Sequence, residues 1–190
     1  MSAKPKFAHV VYQTGQPQEM RDWYCTVLDG HIVYSDEMLS FITFDDEHHR
    51  VALLHPPAPI EKKSALTAAV HHTAYTFENV DDLLGRYVLL RDKGVVPAVC
   101  IAHGVTSSMY YRDPDGNFVE LQIDAFDTPD EATAYMNGPE YAADSVGPGF
   151  DPQVLLEARR DGASVEELTA RSFCSDSGMP PPIEILTSAP

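Results

Sequence analysis

The chain reads the same way twice, over residues of roughly 5–60 and 68–125, and this repeat limits its fold more than any other feature. The first half opens with Phe7-Ala8-His9-Val10-Val11-Tyr12, rich in β-formers. A helix pattern follows from Gln18 to Leu28, with Met20, Trp23, Tyr24 and Val27 on one face. Pro17 suits its first turn and Asp29-Gly30 stops it. Three short strands are predicted next, at His31–Tyr34, Leu39–Phe44 and Val51–Leu54. The second half opens with Val70-His71-His72-Thr73-Ala74-Tyr75. Asn79 can cap a helix burying Leu83, Leu84, Tyr87 and Leu90, which Lys93-Gly94 ends. Strands are predicted at Val95–Ile101, Ser107–Tyr111 and Phe118–Ile123. Each half is a βαβββ unit, so the fold class is α+β.

Superposing the halves pairs chemistry with chemistry. Aligning Tyr12 with Tyr75 sets His9 opposite His72. Aligning the closing strands sets Val51-Ala52-Leu53-Leu54 opposite Val119-Glu120-Leu121-Gln122. Two imidazoles and one carboxylate are the ligand set of a facial triad, which leaves open positions on iron. Each residue also has a plainer reading. A lone strand histidine is more often a packed core residue than a ligand. Glu120 alone could sit on the surface of an edge strand. Yet period two puts Phe118 on its face, and a carboxylate in apolar surroundings is costly unless paired or metal-bound. On a strand His71 and His72 point to opposite faces. The repeat favours His72 as the partner of His9, with His71 at the Ala8 position, turned to the helix side or to a residue behind the site.

The run from His103 to Glu120 concentrates an imidazole, a phenol and a carboxylate around one turn. In Asp113-Pro114-Asp115-Gly116, Pro presets φ, Gly supplies positive φ and the Asp side chains cap the backbone. Taken singly, His103 could be a loop residue beside Gly104, and Tyr110 an ordinary core aromatic.

Composition narrows the partners. The net charge of −16 disfavours nucleic acid and anionic membrane surfaces. No run approaches the roughly 18 apolar residues of a membrane span, and the first residues lack the apolar core of a signal peptide. Cys25, Cys100 and Cys174 are odd in number and far apart, so neither a disulfide framework nor a zinc ribbon is expected. A reducing cytoplasm is the expected compartment, and a homo-oligomer the expected assembly. Residues 126–190 follow a different pattern. Helices are expected after Thr128, from Pro152 to Arg160 with Val154, Leu155 and Ala158 packing, and after Ser164. Gly147-Pro148-Gly149 rules out one continuous helix, and Gly178 to Pro190 is expected to be extended or disordered. This segment reads as an arm that packs on the 1–125 domain or on a subunit neighbour.

The two βαβββ units with His9, His72 and Glu120 resemble the vicinal oxygen chelate superfamily. The run His103-x5-Met109-Tyr110-x2-Asp113-Pro114-x-Gly116-x3-Glu120 resembles the signature of its type I extradiol ring-cleavage dioxygenases, in their small single-domain form. The resemblance implies two modules forming a cupped mixed sheet around a metal site. It implies Fe(II), or Mn(II), held by His9, His72 and Glu120. It implies His49 as an acid–base acting on bound oxygen, with His48 the alternative, and His103 and Tyr110 as hydrogen-bond partners of the substrate oxygens. Substrates would be catechols, including biphenyl-2,3-diol-like ones, opened with O2. A glyoxalase-like lyase would use more carboxylate ligands and lack the His103/Tyr110 pair. A metal-free resistance protein would lack the triad.

Overall fold

Local chemistry places the elements, and pairing sets their ends. The structure is a computed structural model that describes residues 3–61, 64, 67–175, 179 and 182–188. It divides into two compact units, residues 3–61 with Asp113–Asn117, and residues 64–112 with 118–188.

The first unit runs β1 (Val10–Gln13), α1 (Pro17–Leu28), β2 (His31–Ser35), β3 (Leu39–Thr43) and β4 (Val51–Leu54). Its sheet order is β1-β4-β3-β2, with β1 parallel to β4 and the other neighbours antiparallel. Helix α1 starts on Pro17 and ends where Asp29 turns left-handed at φ 56. It buries Met20, Tyr24 and Val27 against Ile42, Val51 and Leu53, all fully enclosed. Strand β1 is shorter than the sequence predicts. Pairing begins at Val10, and the Arg50 guanidinium occupies the Phe7 and Ala8 carbonyls instead, at 2.8 and 3.0 Å. His9 therefore stands directly before the strand.

The turn 113–117 belongs to this unit. Asp113 is buried, and its carboxylate accepts from the Asp115 and Asn117 amides, from Asn117 Nδ2 and from the Tyr24 hydroxyl. Gln16 Nε2 donates to the Pro114 carbonyl and to Asp115, each at 2.7 Å. Gly116 takes φ 86, which a side chain would strain.

The second unit repeats the pattern with β5 (His72–Thr76), α2 (Val80–Asp92), β6 (Val99–Ala102), β7 (Thr106–Arg112) and β8 (Phe118–Asp124). Its order, β5-β8-β7-β6, matches the first sheet strand for strand. Asn79 caps α2 by accepting from the Asp82 amide, and Leu83, Leu84, Tyr87 and Leu90 are buried. Strand β6 starts later than expected. The Val95 amide closes the end of α2 on Leu90, and Pro97 brings no N–H to a ladder.

The arm packs on this second unit. It comprises α3 (Pro129–Met136), α4 (Pro139–Ala143), α5 (Pro152–Arg160), α6 (Val165–Thr169), α7 (Arg171–Ser175) and α8 (Pro182–Leu186). Capping boxes at Thr128 and Ser164 open α3 and α6. In α5 Leu155 is buried as expected, together with Pro152 and Leu156, while Val154 is exposed. The segment 148–150 covers the edge of β6, through Ala102 N–H to Pro148 O at 3.0 Å and Phe150 N–H to Cys100 O at 3.1 Å. The Pro-rich tail is not wholly extended, because Pro182 opens a helical turn. Much of the remaining expectation for 178–190 falls on residues outside those described. No helix among the described residues is long and apolar enough to cross a membrane.

Candidate active site

Strand alternation gathers the second unit's reactive residues on one face. In the ladders, Ala74 faces Glu120, Glu120 faces Tyr110, and Tyr110 faces Val99. His72 faces Phe118 one step along the same side. The opposite face, with Val119, Leu121, Ile123, Met109 and Tyr111, is buried core.

Glu120 is 4% exposed. Its Oε2 lies 3.0 Å from His72 Nε2. Burial alone would push its pKa up. Hydrogen bonds from His72, Ser108 and Tyr110 outweigh that and hold the carboxyl below its ordinary value. An ionised carboxylate is thus kept beside a half-open imidazole. The Tyr110 hydroxyl lies between Glu120 and His103 Nε2, the latter at 3.0 Å. Burial, then the Glu120 charge, raises the Tyr110 pKa, so the phenol stays protonated. His103 is mostly buried, and burial is the chief reason its pKa falls.

The first unit gathers His9 and His49, with ring centroids 4.4 Å apart. His49 also stacks on Phe41 at 4.4 Å. Burial, then His9 and His48, lowers its pKa. His48 turns outward to Glu47, with its side chain 72% exposed. Of this adjacent pair, His49 is the one in contact with His9. Within this sheet Ala52 faces Val11 and Phe41, the register place that Glu120 holds in the other. The same registers make Val10 equivalent to Thr73, because Val51 and Val119 are their partners. His9 is then the counterpart of His72.

His71 takes the second of its two expected places, behind the site, with its Nδ1 2.8 Å from His72 Nδ1. Pairing in β5 begins at His72, so alternation does not extend back to His71. Its ring stacks on Phe118 at 5.4 Å and its Nε2 lies 3.0 Å from the Leu186 carbonyl oxygen. It therefore turns toward the arm, not toward the helix side. The sequence pattern also left Ser108 unmarked, one alternation from Tyr110. Period two could have found Ser108.

Residues 6–121 match the family model of the Glyoxalase/Bleomycin resistance protein/Dioxygenase superfamily. The chain belongs to that superfamily. Within it, the chain is 56% identical over 190 residues to "Biphenyl-2,3-diol 1,2-dioxygenase 2" of Rhodococcus globerulus, covering 99% of this chain and 100% of that one. It is 49% identical over 174 residues to "Biphenyl-2,3-diol 1,2-dioxygenase 3" of the same organism, covering 91% and 92%. Among solved structures, a glyoxylase/bleomycin resistance protein/dioxygenase domain from Frankia sp. EAN1pec aligns with TM-score 0.55 at 15% identity, over 66% of this chain and 96% of that one. A lactoylglutathione lyase from Agrobacterium tumefaciens gives 0.52 at 13% identity, over 64% and 96%. At those identities the two structures show the superfamily's fold alone.

Among the described residues, no three or more His, Cys, Asp or Glu side chains are gathered as a cation cage. The second unit supplies two donors. A buried, ionised carboxylate touching one imidazole, with neutral donors behind it, suits a divalent cation in chemistry.

Proposed function

We propose that this superfamily member is an extradiol ring-cleaving dioxygenase, opening biphenyl-2,3-diol-like catechols with O2 and using Fe(II) held by His9, His72 and Glu120. The observation that carries the reading is the His72–Glu120 pair at 3.0 Å, with Tyr110 and His103 hydrogen-bonded beside it. The two named relatives, matched along nearly their whole lengths, support the same chemistry. His9 enters as the register counterpart of His72. Mn(II) accepts the same ligand set.

The side chains then have separate tasks. Glu120 supplies the negative charge and the histidines neutral nitrogen, so a catechol monoanion leaves the site close to neutral. Bound Fe(II) would supply the place where the diol oxygens and O2 meet and electrons pass from ring to oxygen. His103, kept neutral by burial, can take the catechol proton through Nε2. Tyr110 stays protonated and can donate to a substrate oxygen. His49, beside His9, is the acid–base on the oxygen side. Val146, Ile185 and Leu186 pack on Tyr110, Phe118, Val99 and Ile101 and keep water off that part of the face.

We place the protein in a reducing cytoplasm, in keeping with three free thiols. We also read it as a homo-oligomer. The edge strand β2 leaves Ile32, Val33 and Tyr34 between 44% and 49% exposed, and light scattering on the purified chain would show the assembly. The decisive experiment mixes Fe(II)-loaded protein with biphenyl-2,3-diol without air and then admits oxygen. A yellow ring-opened product with one O2 consumed per diol is expected. Bound metal with no product would remove the dioxygenase reading.

A further inference from the structure

His71 sits one residue before β5, where the first half of the chain has Ala8. Its ring stacks on Phe118 and spans two partners. On one side its Nε2 lies 3.0 Å from the Leu186 carbonyl oxygen. On the other its Nδ1 lies 2.8 Å from His72 Nδ1, with the two rings nearly perpendicular at 85°. Leu186 is the last residue of α8, where a helix leaves its carbonyls without partners of its own. Arg112 holds the same turn. Its Nη2 donates to the Ser188 carbonyl at 3.1 Å and to Ser188 Oγ at 3.2 Å. Its guanidinium lies 4.1 Å from the centre of the Phe118 ring. Phe118 is itself buried, so His71 and Arg112 both rest on an enclosed ring.

These contacts have a direction. A carbonyl oxygen only accepts, so His71 Nε2 carries the hydrogen of that bond. A neutral imidazole has one donor and one acceptor. His71 Nδ1 is therefore left with its lone pair, and the hydrogen between the two rings sits on His72 Nδ1. His72 is held from behind and presents Nε2 on its other side, 3.0 Å from Glu120 Oε2. We infer that His71 is a positioning residue for the metal ligand: anchored by the Leu186 carbonyl, it accepts from His72 Nδ1 and so fixes the ring orientation in which His72 Nε2 is the coordinating nitrogen. The inference rests on the ligand set proposed above. His71 acts through His72 and touches neither metal nor substrate. The arm enters through one backbone carbonyl. Ala8, at the matching place in the first unit, has no side-chain acceptor, so this support, like Glu120, comes from the second unit.

The test compares His71→Phe, His71→Asn and His71→Ala in the full chain. Phe keeps a ring against Phe118 and removes both nitrogens. Asn is shorter but keeps an acceptor near the place of Nδ1. Fe(II) affinity is measured without air, by competition with a coloured chelator. The dissociation constant should rise about tenfold in His71→Phe and His71→Ala, the lower end of the range for a lost orienting partner, because both imidazoles are partly open to water. His71→Asn should stay within about threefold of wild type, since it restores the acceptor. All three should still fill at saturating Fe(II), so elemental analysis alone does not separate them. In wild type loaded with diamagnetic Zn(II), long-range 15N NMR should find the His71 hydrogen on Nε2 and the His72 hydrogen on Nδ1. A folded His71→Phe that holds Fe(II) as tightly as wild type, or a His71 hydrogen on Nδ1, would overturn the inference. Wild type that holds no Fe(II) would sink the ligand set and this inference with it. Affinity and tautomer are both read without turnover, so a chain that binds Fe(II) and opens no catechol sinks the proposed reaction alone.

Discussion

Glu120 and Ala52 hold one register place in two sheets, and that single difference decides which sheet can offer an anion. Glu120→Ala should therefore leave the purified protein with little Fe(II) and no turnover. A metal-replete, active variant would remove Glu120 from the ligand set. The adjacent histidines separate equally sharply. His72 contacts Glu120, whereas His71 lies behind it, between His72 Nδ1 and the Leu186 carbonyl. His72→Ala should lose metal and His71→Ala should keep it, by elemental analysis of both. The reverse result would mean that pairing in β5 is off by one. Behind the ligands, Tyr110→Phe, His103→Gln and His49→Gln should retain metal and lose kcat by on the order of 100-fold, the usual range for a positioned acid or base. Unaltered oxygen kinetics in His49→Gln would take the role from it.

Among the elements, helix α1 contributes more than its apolar stripe. Tyr24 is fully buried and its hydroxyl donates to Asp113 Oδ2 at 3.1 Å. Asp113 in turn organises the 113–117 turn, from which β8 and Glu120 follow. The carboxyl is buried, and burial pushes its pKa up despite its donors, so each donor matters. Tyr24→Phe keeps the ring packing and removes one donor. It should cost about 1–2 kcal/mol in urea unfolding. No loss would mean that the phenol contributes packing only.

At the scale of the molecule, the arm is structural cover. Phe150, Leu155, Leu156 and Leu168 are each at most 7% exposed. Cutting the chain after residue 125 would uncover their partners and the edge of β6. A loss on the order of several kcal/mol follows from four such side chains, and the shortened chain should be insoluble or unfolded. A soluble, cooperative 1–125 fragment would show that the arm is dispensable for folding. Thiol chemistry reports on the same packing. Burial pushes Cys100 far up and Cys174 up to about 11, so at pH 8 both stay protonated and enclosed. Iodoacetamide and mass spectrometry should leave both unlabelled in native protein and label all three cysteines in denaturant. Rapid native labelling of Cys174 would mean that α7 does not hold its place.

The repeat, the βαβββ succession along the chain, the helix caps at Asn79, Thr128 and Ser164 and the Asp113–Gly116 turn were all legible in the sequence. So was the face that Glu120 shares with Phe118. Each depends on residues a few positions apart, where backbone sterics and side-chain alternation leave few choices. Strand ends were not legible. Val10, His72 and Val99 begin their strands because of where a partner strand begins, or because Arg50 and Leu90 have already taken the neighbouring groups. The burial of Pro152 and Leu156 in α5 and the contact of His71 with the Leu186 carbonyl were equally hidden. These join residues that are far apart along the chain. Local pattern says that such a residue can make a contact, and only the meeting of two folded surfaces decides which one it makes.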